Sequence, residues 1–392
     1  MKLKRMQQLA LKNKRIFLRV DFNVPLDDKR NITSDYRIRN ALETINYLLS
    51  RKPKQLIIAS HLGRPHGKPD RDLSMAPVAE RLKHYLKKEV YLHKDFAEKV
   101  SEEHRIVLLE NLRFDPGEKK GSIMFARKLA LNADVYVNDA FGTAHRKDAS
   151  VYKLPQLLPH GAGNLIEREI QEVHLNHKRP LIALFGAAKI SDKLPVFKKL
   201  LKQVDKLMLG GGVVFTFMKA GGLQVGKSLV EEEMVETARQ LMERYGDKIV
   251  FPVDVMVTGQ SNLKKFTSMT VPERKKMIDI VAVEKIPAQR AAFDIGPKSV
   301  KLFSNIIRES KTVIWNGPPG LYEVKPFDTS TRKLAKTLAE EDVTTIVCGG
   351  DTAAALRQTP YKKNMDHIST GGGASLELLA GNKLPALQML KK

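Results

Sequence analysis

Arginine, histidine and asparagine recur behind one apolar run after another in the first half of this chain. Arg19, Asp21, Phe22 and Asn23 close or follow the run at 16–20, and Arg37 opens the next helical stretch. His61 and Arg64 follow the run at 55–60 in the turn His61-Leu62-Gly63-Arg64-Pro65. Asn111 and Arg113 follow 105–109; Asn138, Asp139, His145 and Arg146 end or follow 134–138. A guanidinium is a planar fork that grips carboxylate or phosphate at two points. One such arginine is an ordinary surface ion-pair residue. The same chemistry at four successive strand ends is a patch for a small, multiply charged anion.

The second half places glycine where the first places arginine. Phe185-Gly186-Ala187-Ala188-Lys189 and Gly210-Gly211-Gly212 each lie between a strand pattern and a helix pattern. Trp315-Asn316-Gly317-Pro318, Cys348-Gly349-Gly350-Asp351-Thr352 and the run 369–375, with Gly371, Gly372 and Gly373, repeat the arrangement. Backbone N–H groups at such turns approach anions closely, and a helix start adds partial positive charge. Tight turns alone would explain one such loop. Five of them, with Lys189, Lys193 and a single Asp351, point to a nucleotide site with a metal ligand. Lys189 and Lys193, four apart, are expected on one face of a helix start.

One stretch imitates a different site. Residues 221–228, Gly-Gly-Leu-Gln-Val-Gly-Lys-Ser, satisfy the P-loop pattern, which cradles phosphate only where it joins a strand to a helix. Here 213–220 reads as a short helix, and Glu231, Glu232 and Glu233 follow closely, so no working P-loop is expected. Residues 145–148 lack the spacing of a protein-kinase catalytic loop, and no His/Cys group has zinc spacing.

The elements that must position these residues follow from periodicity. Near-continuous apolar runs at 16–20, 55–60, 105–109 and 134–138 suit strands buried on both faces, hence a parallel sheet covered by helices. Helical patterns lie between them at 37–49, 75–86, with Ser74 as N-cap and Pro77 in the first turn, and 122–131. After a Pro/Gly break at 155–163 a helix carries Leu165, Ile166, Ile170 and Val173 on one face. Strand patterns resume at 181–185, 206–209, 249–253, 312–315 and 344–348. The expected fold class is α/β, with two doubly wound, Rossmann-like parallel-sheet domains that bind ligands at the carboxyl ends of their strands. A chain of 392 residues also exceeds the size at which a single core keeps growing.

Composition narrows the class. Lysine and arginine number 67 against 44 acidic residues, a net charge of +23 that attracts polyanions in general. The basic residues are spread end to end without a block or an aromatic-spaced stripe, so no specific nucleic-acid partner is expected. No apolar stretch approaches the roughly 20 residues of a membrane span, and no membrane partner is expected. The basic first 14 residues lack the apolar core of a secretory signal. The single cysteine, Cys348, reads as a packed strand residue in a reducing compartment. The expectation is a cytoplasmic protein.

Several strings of this chain, in order, resemble phosphoglycerate kinases: residues 19–25 (RVDFNVP), 60–65 (SHLGRP), 109–114 (LENLRF), 137–146 (VNDAFGTAHR), 315–318 (WNGP), 349–352 (GGDT) and 369–375. The resemblance implies the phosphoglycerate kinase fold and a division into an N-terminal 3-phosphoglycerate-binding domain (1–164), an interdomain hinge helix (165–178) and a nucleotide-binding domain (179–375), with 376–392 packing back on the first. It implies that Asp21, Phe22, Asn23, Arg37, His61, Leu62, Gly63, Arg64, Arg113 and Arg146 bind the triose-phosphate acid. It assigns Lys193, Gly210, Gly211, Gly212, Gly296, Asn316, Glu323, Gly349, Gly350, Asp351 and Thr352 to the nucleotide, with Asp351 also on Mg²⁺. Arg37, Lys189, Lys193 and Gly371, Gly372 and Gly373 surround the transferred phosphoryl group.

The implied reaction converts 1,3-bisphosphoglycerate and ADP to 3-phosphoglycerate and ATP, reversibly and with Mg²⁺, in glycolysis and gluconeogenesis. A monomer is implied. Lys227→Ala would abolish a P-loop NTPase and spare a phosphoglycerate kinase. Three departures stand near the nucleotide: Ala187 where the family carries glycine, Pro195 early in a helix, and Pro319 in the run Gly317-Pro318-Pro319-Gly320.

Overall fold

Apolar parallel strands, arranged in each unit around a reversal of strand order, position everything described below. The structure, a computed structural model, describes residues 2–96, 98–174, 176–259 and 263–392. It divides into two compact units, Met1–Gln171 with Asn382–Lys392, and Glu172–Gly381.

The first unit holds β1 (Arg15–Arg19), β2 (Gln55–Ala59), β3 (Tyr91–His93), β4 (Ile106–Leu109), β5 (Val135–Asn138) and β6 (His160–Ala162). They form one sheet in the order β3-β4-β2-β1-β5-β6, and every pairing is parallel. Strands β2, β4 and β5 are buried along their whole length, which is why they read as unbroken apolar runs. The helix Tyr36–Ser50 buries Ile38, Ala41, Thr44, Ile45 and Leu48, the three-and-four spacing of one helix face. Burial of each such aliphatic side chain contributes about 1.5–3 kcal/mol.

The second unit holds β7 (Leu181–Gly186), β8 (Lys206–Gly210), β9 (Ile249–Val250), β10 (Asp254–Thr258), β11 (Ile278–Ala282), β12 (Ala291–Ile295), β13 (Thr312–Asn316), β14 (Thr344–Cys348) and β15 (His367–Ile368). Six of them make a parallel sheet in the order β15-β14-β13-β7-β8-β9; β11-β10-β12 make a separate three-stranded sheet, antiparallel throughout. Trp315, in the central strand β13, is fully buried.

Several sequence expectations change in detail. The helix Ala76–Leu86 has Met75 as its N-cap, without a side-chain bond; the Ser74 hydroxyl accepts from Ala76 N at 3.2 Å and donates to Glu110 at 2.8 Å. The helix after the Pro/Gly break runs Asn164–Glu172, and the units divide at its last residue; Leu175, within the expected 165–178 span, lies outside the described residues. Residues 376–381 belong to the second unit, where Leu376, Leu378 and Leu379 join its core. Only Asn382–Lys392 belong to the first: Lys4 N donates to Leu390 O at 2.8 Å and Ala386 N to Ala144 O at 3.1 Å. Among the described residues no helix is long and apolar enough to cross a membrane.

Candidate active site

In the first unit the sheet order reverses at β1, since β2 lies on one side of it and β5 on the other. Loops leaving adjacent strands diverge there, which opens a crevice at the carboxyl ends. Arg19 ends β1, and the next residues turn through Asp21 and Asn23. The Arg37 guanidinium forms a salt bridge with Asp21; Asp21 also accepts from Asn23 N at 3.1 Å. Burial pushes the Asp21 carboxyl up, but Arg37, with the Asn23 N–H and Arg19, outweighs it and holds the group well below the usual carboxylate range.

The β2 loop is tied to its neighbours on both sides. Gly63 N donates to Asn23 Oδ1 at 2.8 Å. Leu62 N donates to Asn111 Oδ1 at 3.1 Å, and Asn111 Nδ2 returns a bond to Leu62 O at 2.7 Å. Phe22 N donates to Ser60 Oγ at 2.8 Å. Arg113 donates from one nitrogen to Gly63 O at 2.7 Å, while its Nε and other terminal nitrogen are buried without a partner. Burial, and then Arg146, lower Arg113 to about 10. His61 is buried, and desolvation holds it neutral, well below the usual imidazole range. Arg64 is exposed and Arg146 half-buried. Asp21, Asn23, Arg37, His61, Leu62, Gly63 and Arg113 thus form one bonded set, with Phe22 pinned beneath it and Arg146 beside it. The arrangement is a rigid cationic crevice with unspent donors.

In the second unit the reversal falls between β7 and β13. A Cβ on Gly317 (φ +89°) would lie 1.6 Å from Gly186 O, so only glycine lets these two loops cross. A cavity of about 520 Å³ opens here, walled by Lys189, Lys193, Gly211, Gly212, Lys227, Glu323 and Asp351 among others. A larger cavity, about 1470 Å³, lies elsewhere on the first unit; several of its charges pair with each other, Lys83 with Glu80 and Glu89 and Arg30 with Asp72.

Lys193 is the best-defined cation in that wall. Its Nζ donates to Asn316 Oδ1 at 3.0 Å and sits 5.5 Å from the Phe185 ring centroid. Burial lowers its pKa, partly offset by Asp351 and Asp192. Asn316 Nδ2 donates to Cys348 O at 3.0 Å, and Thr352 Oγ1 accepts from Gly317 N at 2.6 Å while donating to Cys348 O at 2.9 Å. Gly349 caps the helix Gly350–Arg357, which carries Asp351 in its first turn.

Not every expected nucleotide residue lines the cavity. Gly210 packs on Pro319, and Gly296 against the Asp254 carboxylate; Asn316 holds Lys193, and Gly349, Gly350 and Thr352 belong to the helix start that carries Asp351. Gly372 (φ +51°) precedes the helix Gly373–Leu379, and Gly371 N donates to Ser369 Oγ at 3.1 Å; none of the three glycines is in the cavity wall. Lys189 lies in the loop before a short 3-10 turn, Ser191–Lys193, and the helix begins only at Leu194. The shared helix face expected for Lys189 and Lys193 is therefore absent, although both reach the cavity.

The three departures are absorbed. Ala187 O accepts from Val213 N at 2.9 Å. Pro195 occupies the first turn of its helix, where no donor is needed. Pro319 O accepts from Gly211 N at 2.8 Å. Residues Val213–Ala220 are helical, so 221–228 does not join strand to helix. Its Lys227 nevertheless lines the cavity, a contribution that the P-loop test on local context could not detect.

Among the described residues no three His, Cys, Asp or Glu side chains cluster to hold a metal. Mg²⁺ does not need such a cage, since one carboxylate plus nucleotide phosphates and water suffices. Asp351, in the cavity wall, fits that donor set.

The family model described as phosphoglycerate kinase matches residues 6–382. Phosphoglycerate kinase of Pelotomaculum thermopropionicum is 43% identical, covering 99% of this chain and 98% of that protein; that of Nostoc punctiforme is 45% identical, covering 97% and 96%. The solved phosphoglycerate kinase structure from Coxiella burnetii superposes with a TM-score of 0.86 at 36% identity, covering 99% and 98% of the two chains. With its two parallel-sheet units and near-complete match in length, the chain belongs to the phosphoglycerate kinase family.

Proposed function

We propose that the protein moves a phosphoryl group between 1,3-bisphosphoglycerate and ADP, yielding 3-phosphoglycerate and ATP, and that it does so by direct transfer. The observation that carries the reading is the division of labour within one chain. The first unit offers cations with unspent donors; the second offers a lysine-lined cavity walled by glycine loops and carrying the exposed carboxylates Asp192, Glu323 and Asp351.

The acceptor in the reverse direction is a carboxylate, ionised at neutral pH, so no general base is required. Phosphoryl transfer then asks the protein for alignment and charge neutralisation. In this reading Asp21, Asn23, Arg37, His61, Arg64, Arg113 and Arg146 hold the triose-phosphate acid. Lys193 and the Gly211–Gly212 turn hold the nucleotide, with Glu323 towards the ribose. Bound Mg²⁺, held by Asp351, would neutralise phosphate charge. Arg37 and Lys189 stabilise charge on the moving group, with Gly371, Gly372 and Gly373 supplying N–H donors. In-line transfer requires the two substrates in register, so hinge closure belongs to the reading, as do a monomeric state and a cytoplasmic, glycolytic setting.

The test is ADP production from MgATP with and without 3-phosphoglycerate, coupled to removal of the acyl phosphate. Turnover only with 3-phosphoglycerate, abolished by chelating Mg²⁺, is expected; turnover indifferent to 3-phosphoglycerate would sink the reading. Arg37→Ala is expected to cost about 10²- to 10³-fold in kcat, the usual loss of one transition-state donor.

A further inference from the structure

Beneath the cationic crevice lies a buried chain of polar groups. Arg19, at the end of β1, and Glu118, in the short helix Pro116–Lys120, are both fully buried. Ser150 joins them: its Oγ accepts from Arg19 Nε at 2.7 Å and donates to Glu118 Oε1 at 2.6 Å. Ser150 N also donates to Glu118 Oε2 at 2.9 Å, and the Arg19 guanidinium lies 3.6 Å from Glu118 Oε1. Burial pushes the Glu118 carboxyl up while Arg19 and Ser150 pull it down; the partners of both its oxygens are donors, the surroundings of a carboxylate. A buried arginine without such a counter-charge would be strongly destabilising.

The guanidinium nitrogen that lies near Glu118 also touches the crevice. One terminal nitrogen of Arg19 lies 3.4 Å from His61 Nδ1. Guanidinium nitrogens can only donate, so this contact is a hydrogen bond when Nδ1 accepts and the ring proton sits on Nε2. Doubly protonated His61 would set an N–H against this cation, with Arg113 and Arg146 also facing it and only Asp21 opposing them.

We propose that Glu118 and Ser150 are positioning residues that lock Arg19 against His61 Nδ1, fixing the imidazole as a neutral Nε2–H donor for the anionic substrate. The inference rests on the reading of His61 as a substrate contact. It adds a layer behind that contact, in which a carboxylate that never meets substrate sets the ring's protonation. Asp148, 4.0 Å from Arg113, is the other acidic group close to this layer.

Selective ¹⁵N-histidine labelling of the full chain tests it, with the His61 signals assigned from H61Q. Long-range ¹H–¹⁵N spectra should show His61 as the neutral Nε2–H form throughout pH 6–8, without substrate. E118Q keeps the shape and removes the charge. It should bring mixed tautomers or titration at His61 and raise KM for 3-phosphoglycerate about five- to tenfold, the loss of one good hydrogen bond, with KM for MgATP unchanged. S150A, which removes the bridge alone, should move the His61 signals in the same direction and decides the matter if E118Q does not fold. A wild-type His61 found as the Nδ1–H form or as imidazolium would overturn the proposal. So would folded E118Q, or S150A in its place, with wild-type His61 spectra. A neutral Nε2–H ring in a protein that does not turn over 3-phosphoglycerate would instead remove the functional reading and leave the relay standing.

Discussion

Lysine side chains at the β7–β13 cavity separate into held and unheld. Lys193 is fixed by Asn316 and the Phe185 ring, and burial favours its loss of charge while Asp351 and Asp192 resist it. An anionic phosphate would restore that balance, so Lys193→Ala should lower kcat and raise KM for MgATP together. Lys227 is exposed, and its backbone is held by a bond from its N–H to Arg290 O at 2.8 Å. A screened surface charge contributes little, and Lys227→Ala should raise KM for MgATP only about two- to fivefold, with kcat unchanged. Steady-state kinetics on the two variants would check the split; equal losses would mean that Lys227 engages the phosphates no less closely than Lys193.

Turns and helix starts carry the next layer of consequence. Gly349 has φ +93°, and a Cβ there would lie 2.9 Å from Asn316 Nδ2. Gly349→Ala should therefore destabilise by about 1–3 kcal/mol and displace Asn316 from Lys193, so that thermal unfolding and KM for MgATP both shift. At the start of the helix Asn164–Glu172, Asp139 Oδ1 accepts from Leu165 N at 3.0 Å and Ile166 N at 3.2 Å. Burial raises the carboxyl to about 7, although Thr44 and these two N–H groups oppose it. The unfolded chain releases this proton near pH 4, whereas the folded chain keeps it to about pH 7. Stability from this group is then present below pH 4, falls across that window, and is flat above it. Urea unfolding should show that decline, and Asp139→Asn, which cannot ionise, should lose it.

The same scale shows what the amino-acid order made legible. The parallel strands announced themselves because burial on both faces leaves unbroken apolar runs, as at 55–59 and 344–348. The antiparallel sheet did not: β11 has no fully buried residue and no regular alternation, and Ile280 stands exposed. Strands β6 and β15 are three and two residues long, and a glycine interrupts β6. The basic crevice was legible because each strand end repeats one chemistry. Glu118 was not, for its partners Arg19 and Ser150 stand 99 and 32 residues away, and local spacing says nothing of such a meeting.

Two hydrophobic cores among the described residues lie around Phe22, Ile45 and Leu82 and around Phe185, Phe197 and Phe217, beside a smaller cluster at Phe266, Val324 and Phe327. Each lies within one compact unit, so neither needs residues of the other to exclude water. A ligand stabilises what it binds by mass action, by about 2.7 kcal/mol at a hundred times its Kd. If MgADP binds at the β7–β13 reversal and 3-phosphoglycerate at β1, each should slow amide exchange mainly in its own unit. Hydrogen exchange read by mass spectrometry should then show MgADP protecting peptides within 172–381, above all those holding Gly211, Asn316 and Gly349. 3-Phosphoglycerate should protect those holding Asn23, His61 and Arg113. The last peptides make the sharper test, because residues 382–392 belong to the first unit and 373–381 to the second. Protection by 3-phosphoglycerate should therefore begin again past Gly381, and protection of 382–392 by MgADP alone would show that the two cores do not respond as separate bodies.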